Sequence, residues 1–178
     1  SSAKIPSDLT VPANPNAIGF SNQPLSLLYN VVVDGICDEL RLQQGYDYDP
    51  ADNFRAKKAS LHIDGTTCTT ESYYWNTLIL PFTAATPAGM LARYYKDDTK
   101  NTDASATVMQ AGTPYVYLMT HAVEYIEATD VDVYCISKMP ECIGYEGYIG
   151  TFSNDVTDGA QALTTGTSFE MAGASVVI

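Results

Sequence analysis

Apolar residues in this chain come in short runs of branched and aromatic side chains, each cut off by a turn signal. "LSLLYNVVV" (25–33) stops at Asp34-Gly35, "FRAKKASLHI" (54–63) stops at Asp64-Gly65, and "PAG" (87–89) separates "WNTLILPF" from "MLARYYK". A packed helix needs apolar residues three and four apart sustained over roughly a dozen positions. No stretch sustains that pattern, and "DGAQAL" (158–163) offers one short helical turn at most. Strand-length runs with turn signals at about ten-residue spacing point to an all-β chain. The expectation is an antiparallel β-sandwich or jelly-roll-like fold with short turns and little helix.

Alternation within the runs sets the faces. In "CDELRL" (37–42), Cys37, Glu39 and Arg41 share one side, while Leu40 and Leu42 share the other. In "YYWNTLILPF" (73–82), Trp75 lies on the side of Thr77 and Ile79, and Leu78 to Leu80 are apolar on both sides. A strand apolar on both faces belongs in the interior. Trp75, the single tryptophan, is therefore expected in the core or at its edge, with Pro81 ending the hydrogen bonding. The runs around 25–63 read as antiparallel strands joined by short turns. Residues 1–24 hold Pro6, Pro12, Pro15 and Pro24, which fix φ and remove donors, so this arm is extended. It either wraps the domain or links it onward, and residues 25–178 are expected to form one β-sandwich domain.

Length and charge exclude several classes. The chain has 178 residues, enough for one domain with a sizeable core, and a net charge of -12. Nucleic acid is a poor partner, because phosphate contacts need clustered cations. Anionic membranes are disfavoured for the same reason. The longest apolar run, "WNTLILPF", is far below the roughly 18 residues that a spanning helix needs, so no membrane insertion is expected. The chain begins at Ser1 with no charged-then-apolar leader and reads as mature or trimmed. Its tyrosines, threonines and serines, with few lysines, fit a secreted β protein.

Cys37, Cys68, Cys135 and Cys142 admit three pairings. "CISKMPEC" places Cys135 and Cys142 around a Met139-Pro140 turn, which would leave Cys37 with Cys68. The alternative is four free thiols. A metal site fits poorly, since there is no CxxC and His62 and His121 lie far apart. "DDTKNTD" (97–103) alternates oxygen ligands like the start of a calcium loop, with Asp97, Asp98, Asn101 and Asp103 as the candidates. It lacks the glycine and closing glutamate of such loops and reads better as a solvated hairpin tip. No cofactor is expected.

No nucleophile elbow, phosphate loop or zinc-hydrolase motif occurs. His121 reads as a turn residue and His62 as a half-buried strand residue. Glu124 with Glu127, and Glu141 with Glu146, lack a spacing that marks a glycosidase pair. Aromatic rings offer more, because they stack on the apolar faces of pyranoses. Tyr46 and Tyr48 in "GYDYDPADN" stand beside Asp47, Asp49 and Asn53, and this loop is the candidate ligand site. Tyr94 with Tyr95, and Tyr145 with Tyr148, are lesser candidates.

Several segments occur in a telling order: "NVVVDGICDELRLQQGYDYDPADNFRAKKASLHI", "YWNTLILPF", "PAGM", "QAGTPYVYLM", "YIGTFS" and "GTSFEMAGASVV". Together they resemble the β-rich C-terminal domain of secreted or surface proteins of the Bacteroidetes, which often accompanies leucine-rich repeats. The resemblance covers roughly residues 28–178. It departs where the family's "cLPF" cysteine is replaced by Ile79. It implies export and a surface or extracellular location, and it supplies no catalytic residues.

Two functions are expected from these readings. The first is a non-enzymatic surface module for adhesion or glycan binding, whose partner is a glycan or a host or bacterial surface protein. The second is a structural subunit of a surface filament, or an accessory domain of a multidomain surface protein, in which the arm and the "GASVVI" tail self-assemble by strand addition. A hydrolase or an inhibitor is the third and weakest.

Overall fold

A computed structural model describes residues 14–21, 29–63, 75–94, 96, 105–143, 150–151 and 176–177. The chain is all-β. Its strands are β1 (Gly19–Ser21), β2 (Val31–Val33), β3 (Ile36–Gln43), β4 (Phe54–His62), β5 (Asn76–Leu78), β6 (Ala84–Ala85), β7 (Met90–Arg93), β8 (Val108–Met109), β9 (Tyr115–Met119), β10 (Tyr125–Val133), β11 (Gly150–Thr151) and β12 (Val176–Val177). Among the described residues the only helical element is a 3-10 turn, Ile136–Lys138. The "DGAQAL" segment, the candidate calcium ligands Asp97, Asp98, Asn101 and Asp103, and Tyr95, Tyr145 and Tyr148 lie outside the described residues.

A five-stranded sheet runs in the order β1-β2-β3-β4-β10, and a three-stranded sheet runs β5-β9-β7. The Asp34-Gly35 turn joins β2 to β3 as an antiparallel hairpin, with φ of 51° and 76° at its two residues. Positive φ at both turn positions matches the right-handed twist of the flanking strands. The next pairing departs from expectation, because β3 and β4 are parallel neighbours, with Leu40 opposite Ala59. The reason lies in the segment 44–53 between them. Parallel strands need a crossover rather than a tight turn. This one carries Tyr48 and Pro50 buried in its course, so it runs across the core instead of turning in solvent. Strand β1 is also parallel to its neighbour, with Phe20 opposite Val32.

The outward and inward faces of the large sheet change phase along one row. Buried positions step by three, from Cys37 to Leu40 in β3 and from Ala56 to Ala59 in β4. In β10 the same step separates half-buried Ala128 from Val131. Each strand thus turns two consecutive residues outward, and Asp130 takes a left-handed φ of 52° to do so. The exposed row is Asp38, Lys57 and Asp130, with a Lys57 Nζ to Asp38 Oδ1 contact of 2.6 Å. Alternation read from sequence holds on either side of this row and fails across it.

Within "YYWNTLILPF", the described residues 75–82 connect the two sheets. Leu78 pairs with Tyr115 in the three-stranded sheet, while Phe82 bridges to Val133 at the end of β10. Pro81 sits at the switch, where its carbonyl accepts the Tyr134 N–H at 2.9 Å. Leu78, Leu80 and Phe82 are fully enclosed and join the inner face of the large sheet in one apolar cluster. Each such side chain stabilises the fold by about 1.5–3 kcal/mol through burial. Trp75 is half-buried at the margin of this core, and the Arg93 guanidinium lies 5.7 Å from its ring centre.

The disulfide expectation is corrected. Cys37 and Cys135 are free thiols, so neither a Cys135–Cys142 nor a Cys37–Cys68 bridge forms. Cys37 points from β3 into the core, and Cys135 is tucked beneath the 3-10 turn with its Sγ 3.4 Å from Ser137 Oγ. Cys142 is half-buried, and Cys68 lies outside the described residues.

Part of the Pro-rich arm is built into the domain. Asn16, only 3 % exposed, donates from Nδ2 to the carbonyls of Gln43 and Tyr46 and accepts the Gln43 N–H at Oδ1. Asn30 donates to Pro15 and Arg41 carbonyls and accepts the Arg41 N–H. A primary amide matches a peptide group in donors and acceptor, so these two side chains substitute for missing ladder neighbours beside β3.

Candidate functional site

The expected ligand loop divides into exposed and buried parts. Tyr46, Asp47, Asp49 and Asn53 are exposed, whereas Tyr48 is 2 % exposed. Tyr48 donates its hydroxyl to the Tyr134 carbonyl at 3.1 Å, and burial pushes its phenol far above the usual range. It is a core residue and offers no stacking face. The other loop groups serve the fold as well. The Asp47 carbonyl accepts from Asn14, and Asn53 Oδ1 accepts the Cys135 N–H. The recess beside Tyr46 measures about 30 Å³, which holds a water molecule and no sugar ring.

The outward face of the five-stranded sheet is a better site. Pairing aligns Gln43, His62 and Tyr125 in one row across β3, β4 and β10, and Arg41, Ser60 and Glu127 in the next. Their inward neighbours Leu42, Leu61 and Ile126 are core residues, which forces this set toward solvent. Tyr29, just before β2, overhangs the β3 side. These residues line an open groove of about 520 Å³. That volume lies within the range of small-ligand sites.

Contacts within the face hold its side chains in place. Arg41 donates from Nε and Nη2 to Glu39 Oε1 at 3.0 and 2.8 Å, and its guanidinium lies 5.0 Å from the centre of the Tyr29 ring. The His62 and Tyr125 rings stand 5.2 Å apart, tilted by 57°. His62 Nε2 is 4.0 Å from Glu124 Oε1. A hydrogen bond to Glu124, and then the charge of that carboxylate, raise the Tyr125 phenol above its ordinary value. Tyr29 and Tyr125 remain 40 % and 46 % exposed, large for rings otherwise restrained by neighbours.

His62 is half-buried in a strand and His121 is exposed in a turn, as read from sequence. The groove itself escaped that reading. Tyr29 and Tyr125 are nearly a hundred positions apart, and only the order β2-β3-β4-β10 brings them to one face. The available signal was the outward set Glu39 and Arg41 in β3, already visible as an alternating polar side. Among the described residues no group of three or more His, Cys, Asp or Glu side chains is placed to hold a metal ion, and no helix is long and apolar enough to cross a membrane.

No family model matches the sequence, and neither the curated proteins nor the solved structures give a match.

Proposed function

We propose that this chain is a non-enzymatic, extracellular or cell-surface module that binds glycans on the outer face of its five-stranded sheet. One observation carries this reading. Two exposed tyrosines, Tyr29 and Tyr125, flank a groove floored by hydrogen-bonding side chains. Sugar recognition needs a flat apolar surface for the ring and fixed donors and acceptors for the hydroxyls. Gln43, Ser60, His62 and Glu127 supply the second beside the tyrosine faces. The resemblance to Bacteroidetes surface domains and the tyrosine-rich, lysine-poor composition support the location. The buried thiols Cys37 and Cys135 are shielded from oxidants and bear little on the compartment.

A glycan array covering plant, host and bacterial sugars tests the reading. Binding is expected from the full chain and should be lost in Tyr29→Ala and Tyr125→Ala variants that retain the native melting transition. No binding across the array would overturn it.

The second reading, assembly through added strands, draws on β1. This three-residue strand lies parallel at the sheet edge, held by its short ladder with β2 and by Phe20 against Phe54. A segment held in that way suits exchange between copies. Light scattering over a concentration series separates the readings, since a monomer at all concentrations counts against assembly.

A further inference from the structure

Resting on the glycan-binding reading, we propose that the groove selects uncharged sugars and rejects acidic ones, with Glu127 as the excluding residue. The charged groups lining the groove are Glu39, Arg41 and Glu127, with His62 counted neutral. Arg41 is the natural receptor for a sugar carboxylate or sulfate, but its charge is already offset by the Glu39 carboxylate. Two of its five donors are on Glu39, and its central carbon lies over the Tyr29 ring. Glu127 has no such compensation. None of the ion pairs of the described residues includes it. Ser60 separates it from Arg41 in the register, a distance of about two strand spacings, or roughly 9.6 Å.

Other cations do not reverse this balance. Lys58 lies one row further on, opposite Glu39 and Thr129, and lines the adjoining depression that shares Glu39 with the groove. Glu124, beside His62 and Tyr125, adds a further carboxylate at the rim. The chain as a whole carries -12. An acidic sugar therefore approaches a negative field and then meets an uncompensated carboxylate. A neutral pyranose meets the same carboxylate as a hydrogen-bond acceptor for its hydroxyls, which is a favourable charge-assisted contact.

The test compares matched oligosaccharides by titration calorimetry on the full chain at low ionic strength. Cello- and galacto-oligosaccharides serve as neutral probes, oligogalacturonate and sialyllactose as acidic probes, and chitosan oligomers as cationic ones. Neutral probes should bind, and their acidic counterparts should bind at least about fivefold more weakly, the size of one charge interaction across about 4 Å of water. Glu127→Gln should narrow the neutral-to-acidic ratio at least about twofold, leaving the part set by Glu124 and the net charge, and added salt should narrow it in the native protein. Acidic probes binding as tightly as neutral ones would overturn the proposal. So would discrimination undiminished in Glu127→Gln, or binding of the chitosan oligomers alone. Absence of binding by every probe is a different failure, because it removes the glycan reading itself.

Discussion

Tyr48 donates its hydroxyl to the main-chain carbonyl of Tyr134, 3.1 Å away and one residue beyond Val133, the partner of Phe54 at the start of β4. This contact explains why the crossover 44–53 lies inward. It also separates Tyr48 from Tyr46, its neighbour in every sequence argument. Tyr48→Phe keeps the ring and leaves the Tyr134 carbonyl without this donor. The expected loss is about 1–3 kcal/mol in chemical denaturation. Glycan binding, if measured in the same variant under native conditions, should not change. A loss of binding with full stability would return Tyr48 to the ligand site.

Asn16 should matter more than its place in a Pro-rich arm suggests. Asn16→Asp retains the shape and the Oδ1 acceptor but replaces the Nδ2 donor with an oxygen facing the Gln43 and Tyr46 carbonyls. A buried carboxylate facing two acceptors is unfavourable. The variant should lose at least about 1–3 kcal/mol at neutral pH. Amide exchange at Gln43 should accelerate with it. Unchanged exchange would mean that the arm is not held by this side chain.

Gly112 and Gly35 have nearly equal φ, 75° and 76°, but different surroundings. A Cβ at Gly112 would stand 2.5 Å from Met139 Cγ and 2.8 Å from the Pro140 carbonyl oxygen, whereas one at Gly35 meets nothing within 4 Å. Gly35→Ala should cost about 1–2 kcal/mol through left-handed backbone strain alone. Gly112→Ala adds an overlap with the Met139 side chain and the Pro140 carbonyl and should cost about 1–3 kcal/mol more. Urea midpoints measured side by side decide this, and equal midpoints would show that the segment yields freely.

The Asp52–Lys138 ion pair ties the crossover to the 3-10 turn, next to the Asn53 to Cys135 hydrogen bond. Lys138 as donor, followed by the Asn53 N–H, holds the Asp52 carboxyl below its ordinary value. A lowered folded value means that the contribution is complete above the unfolded value of about 3.9 and fades as pH falls through the folded one. Lys138 is raised by the same contact, so its contribution is lost only as pH climbs past about 10.4. The Cys135 amide resonance should therefore move in acid, below about pH 4, and stay still between about pH 5 and 9. The same acid titration in Asp52→Asn would show that another group is responsible.

Local patterns made much of the fold legible. The Asp34-Gly35 hairpin, the two-sided apolar strand around Leu78, the marginal place of Trp75 and the all-β class each follow from residues that touch their sequence neighbours or fix their own backbone. Chain direction between neighbouring strands did not follow. A segment such as 44–53 ends with the same residue types whether it turns back or crosses over, and the choice goes with burying Tyr48 and Pro50 in the core.

The candidate site shows the same division. The sequence by itself determined that β3 has a polar side carrying Glu39 and Arg41. Only the tertiary structure decided which tyrosines stand beside that side. Tyr46 and Tyr48 are two residues apart in sequence, but the crossover buries one and leaves the other over a recess too small for a sugar. Tyr29 and Tyr125 are remote in sequence, but β-sheet pairing brings them to one surface. Alternation fixes which residues share a face within a strand. Which strands share a sheet is set by long-range burial, and no local pattern encodes it.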